Sequence, residues 1–265
     1  MINNPVAIFD SGIGSLSIIQ ELKKEIPHEN LLYFADKAHF PYGNKSLAQL
    51  RDIMVSTVNY LERYKPKLII VASYTPSISI LDEIRKMVNI PLFGVRPPLN
   101  EACRLTKKKH IGIMASKLTI ISKEFENQIR REVPQKILVT KFNASPIVEL
   151  IENGTYISNE RKTFDTIHRV IGYEVDKEID VITLSSTHLP FVRSYLNSLL
   201  PTIKFVDSAK IVAKEVRKYL AFNRTLKKTG KSSLKILVSD GKRQFEQIIQ
   251  AMGLREPVEE VFLTF

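Results

Sequence analysis

Short apolar runs recur along this chain at 6–9, 31–34, 68–71, 91–95, 111–114, 136–140, 181–184 and 234–238. Their near-continuous hydrophobicity, rich in Val, Ile and Leu, predicts strands buried on both faces. Between them the pattern changes to helical spacing. Leu16, Ile18, Ile19 and Leu22 share one face, a long helix is predicted from about 47 to 64, and another passes through Leu81 and Ile84. Further helices are predicted around Ala102, Cys103 and Leu105, from about 159 to 173, and through Phe245, Ile248 and Met252. Strands alternating with helices predict an α/β fold with parallel sheets flanked by helices.

Two of the strands end alike. Val181-Ile182-Thr183-Leu184 runs into Ser185-Ser186-Thr187-His188, and Leu68-Ile69-Ile70-Val71 runs into Ala72-Ser73-Tyr74-Thr75. In open α/β sheets ligands bind beyond the carboxyl ends of strands, which makes these hydroxyls candidate site groups. Ser and Thr also cap the helices that follow strands, and that reading stays open here. The first strand ends at Asp10-Ser11-Gly12-Ile13-Gly14, where Gly-x-Gly hints at a phosphate loop. The third glycine and the downstream ribose acid of a dinucleotide site are not in place. Gly230-Lys231-Ser232 is not a P-loop either, since the upstream glycine is absent and the strand lies on the wrong side.

Composition changes this picture little. With 265 residues, 44% hydrophobic and 25% charged, the chain can fill one large or two modest cores. No apolar stretch approaches the roughly 20 residues of a membrane span, and the start lacks the pattern of a signal peptide. The single cysteine, Cys103, excludes an intramolecular disulfide and fits a reducing compartment, so the expected location is cytoplasmic. The net charge of +11 favours anionic ligands and leaves weak nucleic-acid binding open. Its densest clusters, Lys107–Lys109 and Arg224–Lys231, fall between predicted elements and read first as solvated loops.

The strand ends carry a resemblance. Asp10-Ser11-Gly12, Pro41-Tyr42-Gly43 with Lys45-Ser46, Ala72-Ser73-Tyr74-Thr75, Ser145-Pro146, Ser185-Ser186-Thr187-His188 and Val206-Asp207-Ser208-Ala209 occur in this order. In order and spacing they resemble the motifs of glutamate racemases, cofactor-independent enzymes of the aspartate/glutamate racemase superfamily. The resemblance covers essentially the whole chain. It implies two similar α/β domains, 1–95 with 208–265 and 96–207, and a ligand cleft between them. It places Ser73 and Ser186 where the family has its two catalytic cysteines, in Ala-Cys-Asn-Thr and Gly-Cys-Thr-His. Asp10, Glu152 and His188 match further catalytic positions. Asp10, Ser11, Tyr42, Gly43, Tyr74, Thr75, Thr119, Thr187 and His188 match substrate-binding ones, with Tyr74 in place of an asparagine. No cofactor and no metal are implied.

Racemisation needs an acid/base group on each side of Cα. A thiol, with an ordinary pKa near roughly 8.5, can be tuned to that task. A serine alcohol is far less acidic, and general acid–base catalysis works best near the operating pH. Three readings follow. The chain is a catalytically silent homologue that binds a small amino or carboxylic acid; or it is a divergent amino-acid racemase, isomerase or hydrolase using Ser, His188 and acids; or it is an interaction protein with a basic surface. A homodimer stays open as a further partner.

Overall fold

A computed structural model of the chain describes residues 4–172, 175 and 178–262. Among the described residues there are ten strands: β1 (Val6–Asp10), β2 (Leu31–Ala35), β3 (Leu68–Val71), β4 (Leu92–Gly94), β5 (His110–Ala115), β6 (Leu138–Asn143), β7 (Val181–Leu184), β8 (Lys204–Asp207), β9 (Leu234–Val238) and β10 (Val258–Glu260). They form a six-stranded sheet in the order β10-β9-β2-β1-β3-β4 and a four-stranded sheet in the order β6-β5-β7-β8. Every strand pair is parallel. The α/β reading with parallel sheets flanked by helices therefore holds. The chain divides into two compact units, Met1–Val95 with Ala209–Phe265, and Arg96–Ser208. No helix among the described residues is long and apolar enough to cross a membrane.

In the first unit β1 is central, and all five of its residues are buried. Pleating sends Ala7 and Phe9 to one face and Val6 and Ile8 to the other. On the first face they join Leu32, Phe34, Ile69 and Val71 against Leu50, Ile53, Met54, Val58 and Leu61 of the helix Leu47–Glu62. That helix begins with a capping box, Ser46 Oγ accepting from Gln49 N at 3.2 Å and Gln49 Oε1 accepting from Ser46 N at 2.9 Å. On the other face Tyr33 meets Phe245, and Phe93 meets Tyr219. The helices Leu16–Glu25 and Ala209–Phe222 pack together there. Because β9 lies between β2 and β10, the C-terminal segment is an integral part of this sheet.

In the second unit β5 is central and wholly buried. Gly112 sits where an added Cβ would lie 2.7 Å from Ile182 Cγ1 and 2.9 Å from Phe142 Cε2, so the neighbouring side chains occupy the space a larger residue would need. Asp180, just before β7, accepts from Thr106 Oγ1 at 2.6 Å and from the amides of Lys107 and Lys108 at 2.7 and 3.2 Å. This ties the basic turn before β5 to the start of β7.

Several boundaries differ from those read in the sequence. The strand expected at 136–140 lies at Leu138–Asn143. The segment expected as one helix through Leu81 and Ile84 is two, Tyr74–Ser79 and Leu81–Ile84, interrupted at Ile80 with φ −134°. The helix expected to reach 173 ends at Ile171, where Gly172 takes φ 68°, a conformation that favours glycine. Residue 173 lies outside the described residues.

Candidate functional site

Within each unit the parallel strands end along one edge of their sheet; Asp10 ends β1, and Ser73 and Ser186 follow β3 and β7, while Tyr42, Gly43 and Glu152 come from a turn and a helix end. The site residues expected from the sequence divide between the two units. The first holds Asp10, Ser11, Tyr42, Gly43, Ser73, Tyr74 and Thr75; the second holds Thr119, Glu152, Ser186, Thr187 and His188.

In the first unit Asp10 ends β1 and is 3% exposed. Its Oδ1 accepts from Ser11 N at 2.7 Å, which fixes the turn. One strand over, Asp36 follows β2 and is fully buried. It gathers three side chains: Tyr42 Oη donates at 2.9 Å, Ser239 Oγ at 3.1 Å, and His39 Nδ1 lies 2.9 and 3.0 Å from its two oxygens. Ser239 Oγ also accepts from Ala38 N at 3.0 Å. The strand end of β9 thus clasps the loop that carries Tyr42 and Gly43. Burial, then the negative charges of Asp36 and Asp10, hold the Tyr42 phenol well above its ordinary pKa. Tyr42 therefore stays a neutral donor, and the Asp10 charge acts on it directly.

Ser73 follows β3 in extended backbone and precedes the helix Tyr74–Ser79. Its hydroxyl makes no cap hydrogen bond to that helix, so the capping reading does not describe it. The local geometry is instead held by Ser77, whose Oγ donates to Val71 O at 3.0 Å and accepts from Val95 N at 3.1 Å. Tyr74 is 6% exposed, and its helix lies against the turn Tyr42–Asn44. Thr75 is half-buried.

In the second unit Ser116 and Thr119 follow β5, with their hydroxyls 2.9 Å apart. Here Ser116 does cap, accepting from Thr119 N at 3.4 Å. Beyond β7, Ser186 Oγ accepts from His188 N at 3.4 Å, a local turn contact. The His188 ring turns to another partner: its Nε2 is 2.8 Å from Glu152 Oε2, and both side chains are buried. Glu152 ends the helix Ser145–Glu152, which packs against the turn Leu189–Val192 that follows His188. A Ser186–His188 side-chain dyad is not the arrangement present; a His188–Glu152 pair is. Thr187 is buried beside it.

Asp36, itself outside that set, brings in two further groups, Ser239 and His39. Both are joined to the site through Asp36, and Ser239 lies 203 residues from it in sequence. The only signal for Ser239 was its place at a strand end. Among the described residues no three His, Cys, Asp or Glu side chains are grouped to hold a metal ion. Chemically the first unit offers two buried carboxylates, Asp10 and Asp36, with hydroxyls and a neutral phenol. The second offers hydroxyls and an imidazole paired with a carboxylate.

These features have relatives. A glutamate racemase of Clostridium acetobutylicum is 31% identical over 219 residues, 82% of this chain and 84% of that protein. One of Herpetosiphon aurantiacus is 31% identical over 257 residues, 96% of this chain and 100% of that protein. Among solved structures, Escherichia coli glutamate racemase in complex with L-glutamate and the activator UDP-MurNAc-ala superposes with a TM-score of 0.85 at 27% identity, covering 99% of this chain and 100% of that one. The family model for Asp/Glu/Hydantoin racemases matches residues 15–216. By family match, sequence identity and fold together, the chain belongs to the Asp/Glu/Hydantoin racemase family.

Proposed function

We propose that this chain is a glutamate racemase-like protein that binds a small amino acid or carboxylic acid and does not racemise glutamate by a two-thiol route. The observation that carries the proposal is the pair Ser73 and Ser186, which follow β3 and β7 where the resembling motifs have cysteine. An alcohol at each position can donate or accept a hydrogen bond to a ligand. It cannot hold a useful population of the conjugate base near neutral pH, which proton abstraction from Cα requires. The binding groups are better preserved than the acid/base groups. Asp10 matches the position that resembling enzymes use towards the substrate amine, and Tyr42, Thr75 and Thr187 offer hydroxyls for a carboxylate.

A second reading is favoured by the 2.8 Å contact between His188 and Glu152. Glu152 orients the imidazole, which then serves as one acid/base group of a divergent isomerase. Calorimetry against glutamate, aspartate, other dicarboxylates and phosphate, repeated with Thr187→Val, tests binding. The proposal expects one carboxylate to bind and Thr187→Val to weaken it by about tenfold, the worth of one good hydrogen bond to a charged group. Silence with every ligand, or binding indifferent to Thr187, contradicts it.

A further inference from the structure

Charge is distributed very unevenly along the chain. Residues 209–231 contain eight Lys and Arg against a single acid, Glu215, a net +7 of the whole chain's +11. The first part of this segment is the helix Ala209–Phe222, whose Val212, Ala213, Val216 and Leu220 are buried. It packs through that face on the helix Leu16–Glu25 and on β4. The opposite face is exposed and presents Lys210, Lys214 and Lys218, with Phe222 next in the same i, i+4 series. Phe222 is 85% exposed, more than any other large hydrophobic side chain among the described residues. Arg217 flanks the row, 3.4 Å from Glu25. Past the helix the exposed loop adds Arg224, Lys228 and Lys231.

We propose that this face binds single-stranded nucleic acid, the lysine row taking the phosphates and Phe222 stacking on a base. Successive lysines step about 6 Å along the helix axis, so neighbouring ammonium groups can meet neighbouring phosphates of an extended strand. A basic track with an exposed aromatic ring at its end is the arrangement that single-strand binding uses, because every base offers a π-face while the backbone offers only charge. An anionic membrane fits less well. Interfacial helices bury an apolar face in the lipid, whereas here the apolar face is already packed against the protein and a single exposed ring remains. The proposal is independent of what the strand ends bind.

Fluorescence anisotropy with a labelled oligothymidylate, over a range of salt, tests it. The wild-type protein binds at low salt and weakens as salt rises. Replacing Lys210, Lys214 and Lys218 by Gln makes the slope of log K against log salt shallower by about 2, from roughly 0.7 per phosphate contact. Phe222→Ala lowers affinity by about tenfold at unchanged slope, within the range found for one stacked base. Lys107→Gln with Lys108→Gln, an exposed pair in the other unit, leaves binding unchanged. All these side chains are exposed, and circular dichroism checks that each variant is folded; Phe222→Ala alone suffices as a test. No binding at low salt, equal losses from the control pair, indifference to Phe222→Ala, or tighter binding to phosphatidylserine vesicles than to the oligonucleotide each overturns the proposal.

Discussion

Replacing Tyr42 by Phe removes one oxygen from the buried clasp around Asp36, and its cost follows from the geometry. Tyr42 is 1% exposed and Asp36 fully buried, so water cannot take over the lost donor without opening the loop. The bond broken is a phenol donating to a carboxylate at 2.9 Å. Hydrogen bonds to charged groups contribute about 1.5–3 kcal/mol net. The charge is not left stranded, because Ser239 and His39 remain on Asp36. The loss therefore falls in that range and not above it. At about 2–4 °C per kcal/mol for a unit of this size, the unfolding midpoint of the first unit drops by roughly 3–12 °C. Scanning calorimetry at neutral pH reads it directly. Ser239→Ala and the double variant complete a cycle, and groups sharing one carboxylate should couple by about 0.5–3 kcal/mol. A midpoint within about 1 °C of wild type, or strict additivity with Ser239→Ala, would refute the clasp.

Two further outcomes test the frame around the site. Burial alone would raise the Asp180 carboxyl, but the hydrogen bonds from Thr106, Lys107 and Lys108 outweigh it and hold the group below its ordinary pKa. A depressed folded pKa stabilises above the unfolded value and is lost as pH falls through the folded one. Thr106→Val should thus lower the second unit's midpoint at neutral pH, with the gap closing below the ordinary carboxylate range; a gap that persists in acid contradicts the assignment. Gly94→Ala would drive a Cβ into Leu81 Cδ2 and to 3.0 Å from Ser77 Oγ, beside the bonds that hold the end of β3. Overpacking of this kind costs about 1–3 kcal/mol, and denaturant unfolding that shows no loss would mean the contact relaxes freely.

The sequence shows the central strands plainly because a parallel strand covered on both faces is apolar almost throughout, as Val6–Phe9 is and as Val181–Leu184 is but for Thr183. Edge strands lose that signature. In β6, Leu138 is 64% exposed and Lys141 and Asn143 complete the strand, so the apolar run and the hydrogen-bonded run do not coincide. β10, three residues with two exposed glutamates, offers no run at all and was not anticipated. Strand-end chemistry was legible for the same reason as the strands: Asp10 and Ser73 follow apolar runs directly and Ser186 follows one after a single residue. What the sequence hides is pairing at a distance. Glu152 and His188 stand 36 residues apart and Asp36 and Ser239 stand 203 apart, and only the sheet order brings them within hydrogen-bond reach. The lysine row of 210, 214 and 218 was readable at helical spacing, but a count of clustered charges passes over it in favour of the adjacent loop.

The central claim is that Ser73 and Ser186 leave the chain without the acid/base pair racemisation requires. The measurement that bears on it most directly is exchange of the Cα proton of L- and D-glutamate in deuterated water, followed by NMR. The account predicts no enzyme-dependent exchange. It predicts none at an efficient rate after Ser73→Cys with Ser186→Cys either, because Tyr74 still stands where the resembling enzymes have asparagine. Rapid exchange by the wild-type chain, abolished by Ser73→Ala or Ser186→Ala, would contradict it.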